Sequence, residues 1–187
     1  MERRYLDTTV RAAEDMVIRG TASVFYDGSD GTEYNLFDNA FERIHVSAWD
    51  SILRSKHDVL GLFNHDINQI LGRTPETLKV WSDAEGLQYE IKLPDTTLGR
   101  DLYKLVQRGD IRGSSFGATI GYSSWSKQGD KDVRTIQRFK SLRDVSPVAI
   151  PAYSGTRVSL RSSDIKELCQ ERDLSLQIEA IKSRIKK

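Results

Sequence analysis

Leu87-Gln88-Tyr89-Glu90-Ile91-Lys92-Leu93 runs straight into Pro94-Asp95-Thr96-Thr97, and the hydrophobic period changes across that junction. Before it, apolar and polar residues alternate one by one, as in a strand with one face in a core. After it, Leu98, Leu102, Leu105 and Val106 recur three or four apart, as on one face of a helix. Asp95 to Thr97 offers capping oxygens and Gly109 a stop, so the spacing predicts an amphipathic helix of about three turns. Just upstream, Thr77-Leu78-Lys79-Val80-Trp81 also alternates, and Ser82 to Gly86 has the length of a hairpin loop. Val59 to Phe63 is a short apolar run of the same β-rich region.

Downstream, Phe116, Thr119 and Ile120 suggest a strand, Trp125 to Asp132 reads as a polar excursion, and Arg134 to Phe139 as a returning strand. Val145 to Tyr153 is apolar but carries Pro147 and Pro151, and Pro147 argues for an edge, a bulge or a strand end. Upstream, Val17 to Phe25 reads as an opening strand and Asp27-Gly28-Ser29-Asp30-Gly31 as a loop. Phe37 to Leu53 mixes aromatic anchors with polar groups, and its part around Ala48 to Ser55 is expected to be helical. At the other end, Asp164 and Glu167 have capping-box spacing. Ile165, Leu168, Leu174, Ile178, Ile181 and Ile185 follow as an apolar stripe at helical spacing.

Many strands, two or three helices and no repeated βα unit point to an α+β or barrel-like domain. The expected organisation is a polar, mobile start over 1–16, a domain over 17–162, and a helix over 163–187 that covers the sheet or binds a partner.

The whole chain sets further bounds. With 187 residues it is most economically one domain, able to bury roughly 70% of its unfolded surface. Its 28 basic and 27 acidic side chains nearly cancel, which gives no general electrostatic reason to expect nucleic acid. Cys169 is the only cysteine, so an intrachain disulfide framework and a multi-cysteine metal site are excluded and a reducing compartment fits. No apolar run approaches the roughly 20 residues of a membrane span, and the start is polar, so the expectation is a cytoplasmic protein with no membrane partner.

Two polar residues interrupt segments built for burial: His65 in Gly61-Leu62-Phe63-Asn64-His65-Asp66, and Ser115 in Gly113-Ser114-Ser115-Phe116-Gly117. A serine attacks a carbonyl when a neighbouring base removes its proton, and an imidazole is suited to that task near neutral pH. A third group then fixes the imidazole tautomer. Asp66 would point away from His65 on a regular strand, whereas Asp144 stands at the mouth of the Val145 segment, where an acid could reach an imidazole. Each of these residues also has a plain structural reading. His65 could be a hydrogen-bonded strand-end histidine, the glycines around Ser115 could mark a bulge, and Asp144 could be a surface charge beside Arg143. Ser114 and Ser115 would face opposite ways, so only one can meet His65. The separations of His45, His57 and His65 match no compact metal motif, no phosphate loop is present, and no cofactor is expected. Cys169, beside Leu168, reads as a quiet core thiol.

Taken in order, these residues resemble the prohead maturation proteases of tailed bacteriophages, the type found with the HK97-like capsid fold. The matching pieces are Ile18 to Phe25, Phe41-Glu42-Arg43-Ile44 leading to Ala48-Trp49, Asn64-His65-Asp66 with Leu71-Gly72-Arg73-Thr74, and Gly86-Leu87. They continue through Leu93-Pro94-Asp95-Thr96, Gly99-Arg100-Asp101, Arg108-Gly109-Asp110-Ile111, Ser115-Phe116-Gly117, Asp144-Val145-Ser146-Pro147-Val148 and Pro151-Ala152-Tyr153. The resemblance implies a serine endopeptidase with an assemblin-like β-barrel flanked by helices, akin to the herpesvirus assemblins. It implies His65 as catalytic histidine and Ser115 as nucleophile, with Asp144 at the third position, where the family usually has glutamate. Val46-Ser47-Ala48-Trp49 is a second departure, since the family tends toward Pro-Gly-Ala-Phe there. The implied partners are the major capsid protein and its scaffold segment, with self-processing and self-association, inside the immature prohead in the host cytoplasm. The alternatives are a catalytically silent assembly module of the same fold and a metal-dependent nuclease.

Overall fold

A computed structural model describes residues 2–55, 57–149 and 162–185. The strands, in chain order, are β1 (Glu2–Ala12), β2 (Val17–Val24), β3 (Tyr34–Phe37), β4 (Ala40–Ile44), β5 (Leu60–Phe63) and β6 (Asp66–Arg73). They continue with β7 (Leu78–Ser82), β8 (Gly86–Lys92), β9 (Gly113–Gln128) and β10 (Lys131–Val148). The α-helices are α1 (Asp50–Leu53), α2 (Thr97–Arg108) and α3 (Ser162–Ile185). The chain is therefore a mixed α+β protein dominated by strands. No helix among the described residues is long and apolar enough to cross a membrane.

The period switch at Pro94 is where α2 begins. Thr96 accepts the Gly99 N–H through its hydroxyl, and Gly109 ends the helix at φ 79°. Leu102 and Val106 are the face it buries. Upstream, β7 and β8 pair antiparallel from Leu78↔Ile91 to Ser82↔Leu87, as their alternation predicts.

The strands form one sheet in the order β3-β4-β10-β9-β1-β2-β8-β7, with β5 and β6 branching from β10. The branch arises because β10 is long enough to share one edge between two partners. Its residues Asp132 to Ile136 pair parallel with β4, and Asp144 and Val145 pair parallel with Leu60 and Gly61 of β5. Across the core, a Cβ on Gly61 or Gly72 would lie within 3 Å of the Ile91 side chain, so the β5–β6 hairpin packs tightly over β8. That contact rolls the sheet around a core of Ile18, Tyr89, Ile91, Trp49, Phe116 and Phe139. Trp49 stacks on Phe139 at 3.8 Å and meets Phe116 edge-on at 5.2 Å, while its indole N–H donates to Ser23 Oγ.

The closed barrel implied by the resemblance is not what the sheet forms. Its path has two ends, β3 and β7, and the sheet rolls by side-chain packing without closing its hydrogen-bond ladder.

Other expectations shift for local reasons. A strand precedes Val17: β1 pairs with β9 from Glu2↔Ala118 to Tyr5↔Ser115, and with β2 at Val10 to Ala12. A polar start hides such a strand, because backbone ladders need no apolar alternation. The stretch Trp125 to Asp132 is no excursion either. Strands β9 and β10 run on to a tight turn at Gly129 and Asp130, with Trp125 buried against Leu36, Phe37, Ala40 and Leu168. Ahead of α1, the aromatic-rich segment forms the short strands β3 and β4. Pro147 lies one residue before the end of β10, in keeping with a strand end. Helix α3 starts two residues before Asp164, so that residue is not its cap. The helix docks through Leu168, with Ile165, Cys169 and Leu176 beside it. Its Glu171 pairs with the buried Arg134, which also holds Glu42. Farther along, Leu174, Ile178 and Ile181 face outward, and the side chain of Ile185 lies outside the described residues, as do Pro151 and Tyr153.

Candidate active site

Strand β9 presents two faces of different character. Ser114 and Phe116 point into the core, where Ser114 Oγ donates to Tyr89 Oη at 3.0 Å and Phe116 meets Trp49. Burial raises the Tyr89 phenol far above its ordinary value, so it stays neutral. Ser115 and Gly117, between and beyond them, face the other way. The register with β10 sets Ser115 opposite Ser146 and Gly117 opposite Asp144. Alternation on two paired strands therefore collects Ser115, Gly117, Asp144 and Ser146 on one surface.

His65 reaches that surface from a different element. Phe63 pairs with Asp66, which leaves Asn64 and His65 as the turn of the β5–β6 hairpin. Both have positive φ, 52° and 60°, as a two-residue turn matched to strand twist demands. Asparagine tolerates that conformation; histidine does so at a cost of roughly 1–2 kcal/mol. The turn is tied to the end of β10: Asn64 N–H donates to the Pro147 carbonyl, and the Ala149 N–H donates to Asn64 Oδ1.

The imidazole bridges the two polar groups of the hairpin. His65 Nε2 lies 2.7 Å from Ser115 Oγ, and Nδ1 lies 2.5 Å from Asp144 Oδ2. An ionised carboxylate only accepts, so Nδ1 carries the proton and Nε2 is left to accept from the serine hydroxyl. Ser146 Oγ donates to the same Asp144 oxygen at 2.9 Å and stands 3.3 Å from Nδ1. Ser115, Asp144 and Ser146 have no exposed surface, and His65 retains 6%. Asp144 Oδ1 has no hydrogen-bond partner among the described residues, with Arg143 Nε at 3.6 Å. Gly117 makes room for it, since a Cβ there would lie 2.3 Å from Oδ1. Burial pushes the Asp144 carboxyl up, but His65, the Ser146 hydroxyl and Arg143 together prevail and hold it below the ordinary aspartate value.

The sequence-derived residues His65, Ser115 and Asp144 thus meet in one constellation, a hydroxyl, an imidazole and a carboxylate in hydrogen-bonded order. Asp66 turns away and accepts from Asn68 and Gln69. His45 and His57 bond to Ser47 and Ser55, apart from His65, and no cluster able to hold a metal occurs among the described residues. Ser146 and Asn64 were missed as site residues. The alternation Asp144-Val145-Ser146 hinted at a shared face, but only the register with β9 places that face at the serine.

Comparison with curated proteins and with solved structures returns no match. Comparison with protein-family models matches residues 4–171 to the caudovirus prohead serine protease family. That span covers every strand of the constellation, and the chain belongs to the family of caudovirus prohead serine proteases.

Proposed function

We propose that the chain cleaves scaffold and capsid-protein segments, and itself, during prohead maturation, with Ser115 as nucleophile, His65 as general base and Asp144 as its orienting acid. The single observation that carries this reading is the imidazole of His65 spanning Ser115 Oγ and Asp144 Oδ2 in a buried site. Nε2 takes the serine proton as Oγ attacks the scissile carbonyl, and Asp144 stabilises the imidazolium that forms. The imidazolium then gives the proton to the leaving amine, an acyl-enzyme remains, and water activated by the same imidazole hydrolyses it. Because Ser115 is out of solvent contact, a peptide reaches Oγ only after neighbouring groups move.

The site of action in this reading is the inside of the immature prohead in the host, with the major capsid protein and its scaffold segment as partners. Self-association belongs to the same proposal. Kinship with the assemblins is part of the same proposal, carried by the family's ordered motifs. The complete constellation favours an enzyme over a silent assembly module. Co-expression with the capsid protein and its scaffold segment tests the proposal. The intact chain should shorten those partners, and Ser115→Ala should leave them full length. Cleavage that persists in Ser115→Ala removes Ser115 as nucleophile.

A further inference from the structure

We propose that Ser146 is a positioning residue, holding the Asp144 carboxylate in the orientation that His65 requires. The inference rests on the reading of Ser115, His65 and Asp144 as the catalytic group. Among the described residues, hydrogen bonds anchor only one oxygen of Asp144. Oδ2 receives both His65 Nδ1 and the Ser146 hydroxyl, whereas Oδ1 faces Gly117 without a hydrogen-bond partner among the described residues. A carboxylate gripped by the imidazole alone could rotate about its Cβ–Cγ bond as the imidazole gains and loses a proton. Ser146 supplies a second grip on the same oxygen, from the strand that carries Asp144, and its position is locked by pairing with Ser115. With no exposed surface at Ser146, water does not compete for that bond. Aligning the base in this way matters because small misplacements of a catalytic group carry large rate penalties.

The surroundings of Asp144 keep the test readable. His65 faces it from the β5–β6 turn and Arg143 from its own strand, β9 presents the uncharged Ser115 and Gly117, and beyond Gly117 the register sets Arg3 of β1. The experiment follows the Asp144 carboxyl carbon by NMR through an acid titration of the full chain, assigned by its loss in Asp144→Asn. In parallel, a fluorophosphonate probe is mapped onto Ser115 by mass spectrometry. Removing a donor to the charged form should move the Asp144 midpoint of Ser146→Ala to higher pH, and labelling should slow about tenfold or more. Ser146→Thr, which keeps the hydroxyl, should restore both. Where Ser146→Ala does not fold, Ser146→Cys replaces it, with similar volume and a weaker donor. An unmoved Asp144 midpoint in the folded variant overturns the inference whatever the labelling rate, since slower labelling would then reflect packing alone. A wild-type chain never labelled at Ser115 overturns the catalytic reading instead, and the Asp144 titration tells the two failures apart.

Discussion

Asp144 is pulled in two directions, and the balance decides how the site responds to acid. Burial opposes its charge, while His65, Ser146 and Arg143 favour it, and the net effect is a carboxyl below the ordinary value of 3.8. A depressed carboxyl stabilises the fold at any pH above its unfolded value, and that contribution is lost as pH falls through the folded value. The stability advantage of the wild type over Asp144→Asn, read by denaturant unfolding, should therefore persist down to about pH 4 and shrink below that. A difference that already shrinks near pH 6 would mean that burial wins. At this scale the meeting of His65 and Ser115 was legible, as polar breaks in apolar runs and through the family's ordered motifs, whereas Asp144 departs from the family's usual glutamate and was marked by its place before the Val145 segment. The turn conformation of His65 was not legible, because positive φ at a histidine has no signature in residue type alone.

The β9–β10 hairpin is the element that turns separate residues into a site. Its cross-strand pairs set Gly117 against Asp144 and Ser115 against Ser146, so a side chain at Gly117 would be felt directly by the acid. A Cβ 2.3 Å from Oδ1 must displace the carboxylate. Gly117→Ala should fold with a loss of about 1–3 kcal/mol, read by thermal or denaturant melts, and label Ser115 at least about tenfold more slowly. Labelling at the wild-type rate would show that Asp144 need not hold its position. The alternation of β7 and β8 and the caps of α2 could be read from residues 77 to 109, where local pattern and tertiary packing agree. The length of this hairpin could not. Polar residues around Trp125 masked it, because the ladder with β4 and the packing of Leu168 on Trp125 come from distant parts of the chain.

For the whole molecule, the near balance of charges, the strand-rich α+β character and the helical stripe of α3 followed from composition and periodicity, whereas periodicity left open whether α3 covers the sheet or binds a partner. Closure of the sheet did not follow from them either. Whether a sheet closes depends on shear and on which edges remain unpaired, and here β10 spends one edge on both β4 and β5 while β3 and β7 stay as ends. The product of that arrangement is a turn-borne imidazole lowered onto a hairpin that carries both its partners, from strands far apart in sequence. In the proposed mechanism this arrangement makes Ser115 a nucleophile. Its most direct test is a fluorophosphonate reaction on the full chain, with the adduct located by peptide mass mapping. A single adduct on Ser115 is expected, lost in His65→Ala. An adduct on another residue, or labelling of Ser115 undiminished in His65→Ala, would contradict it.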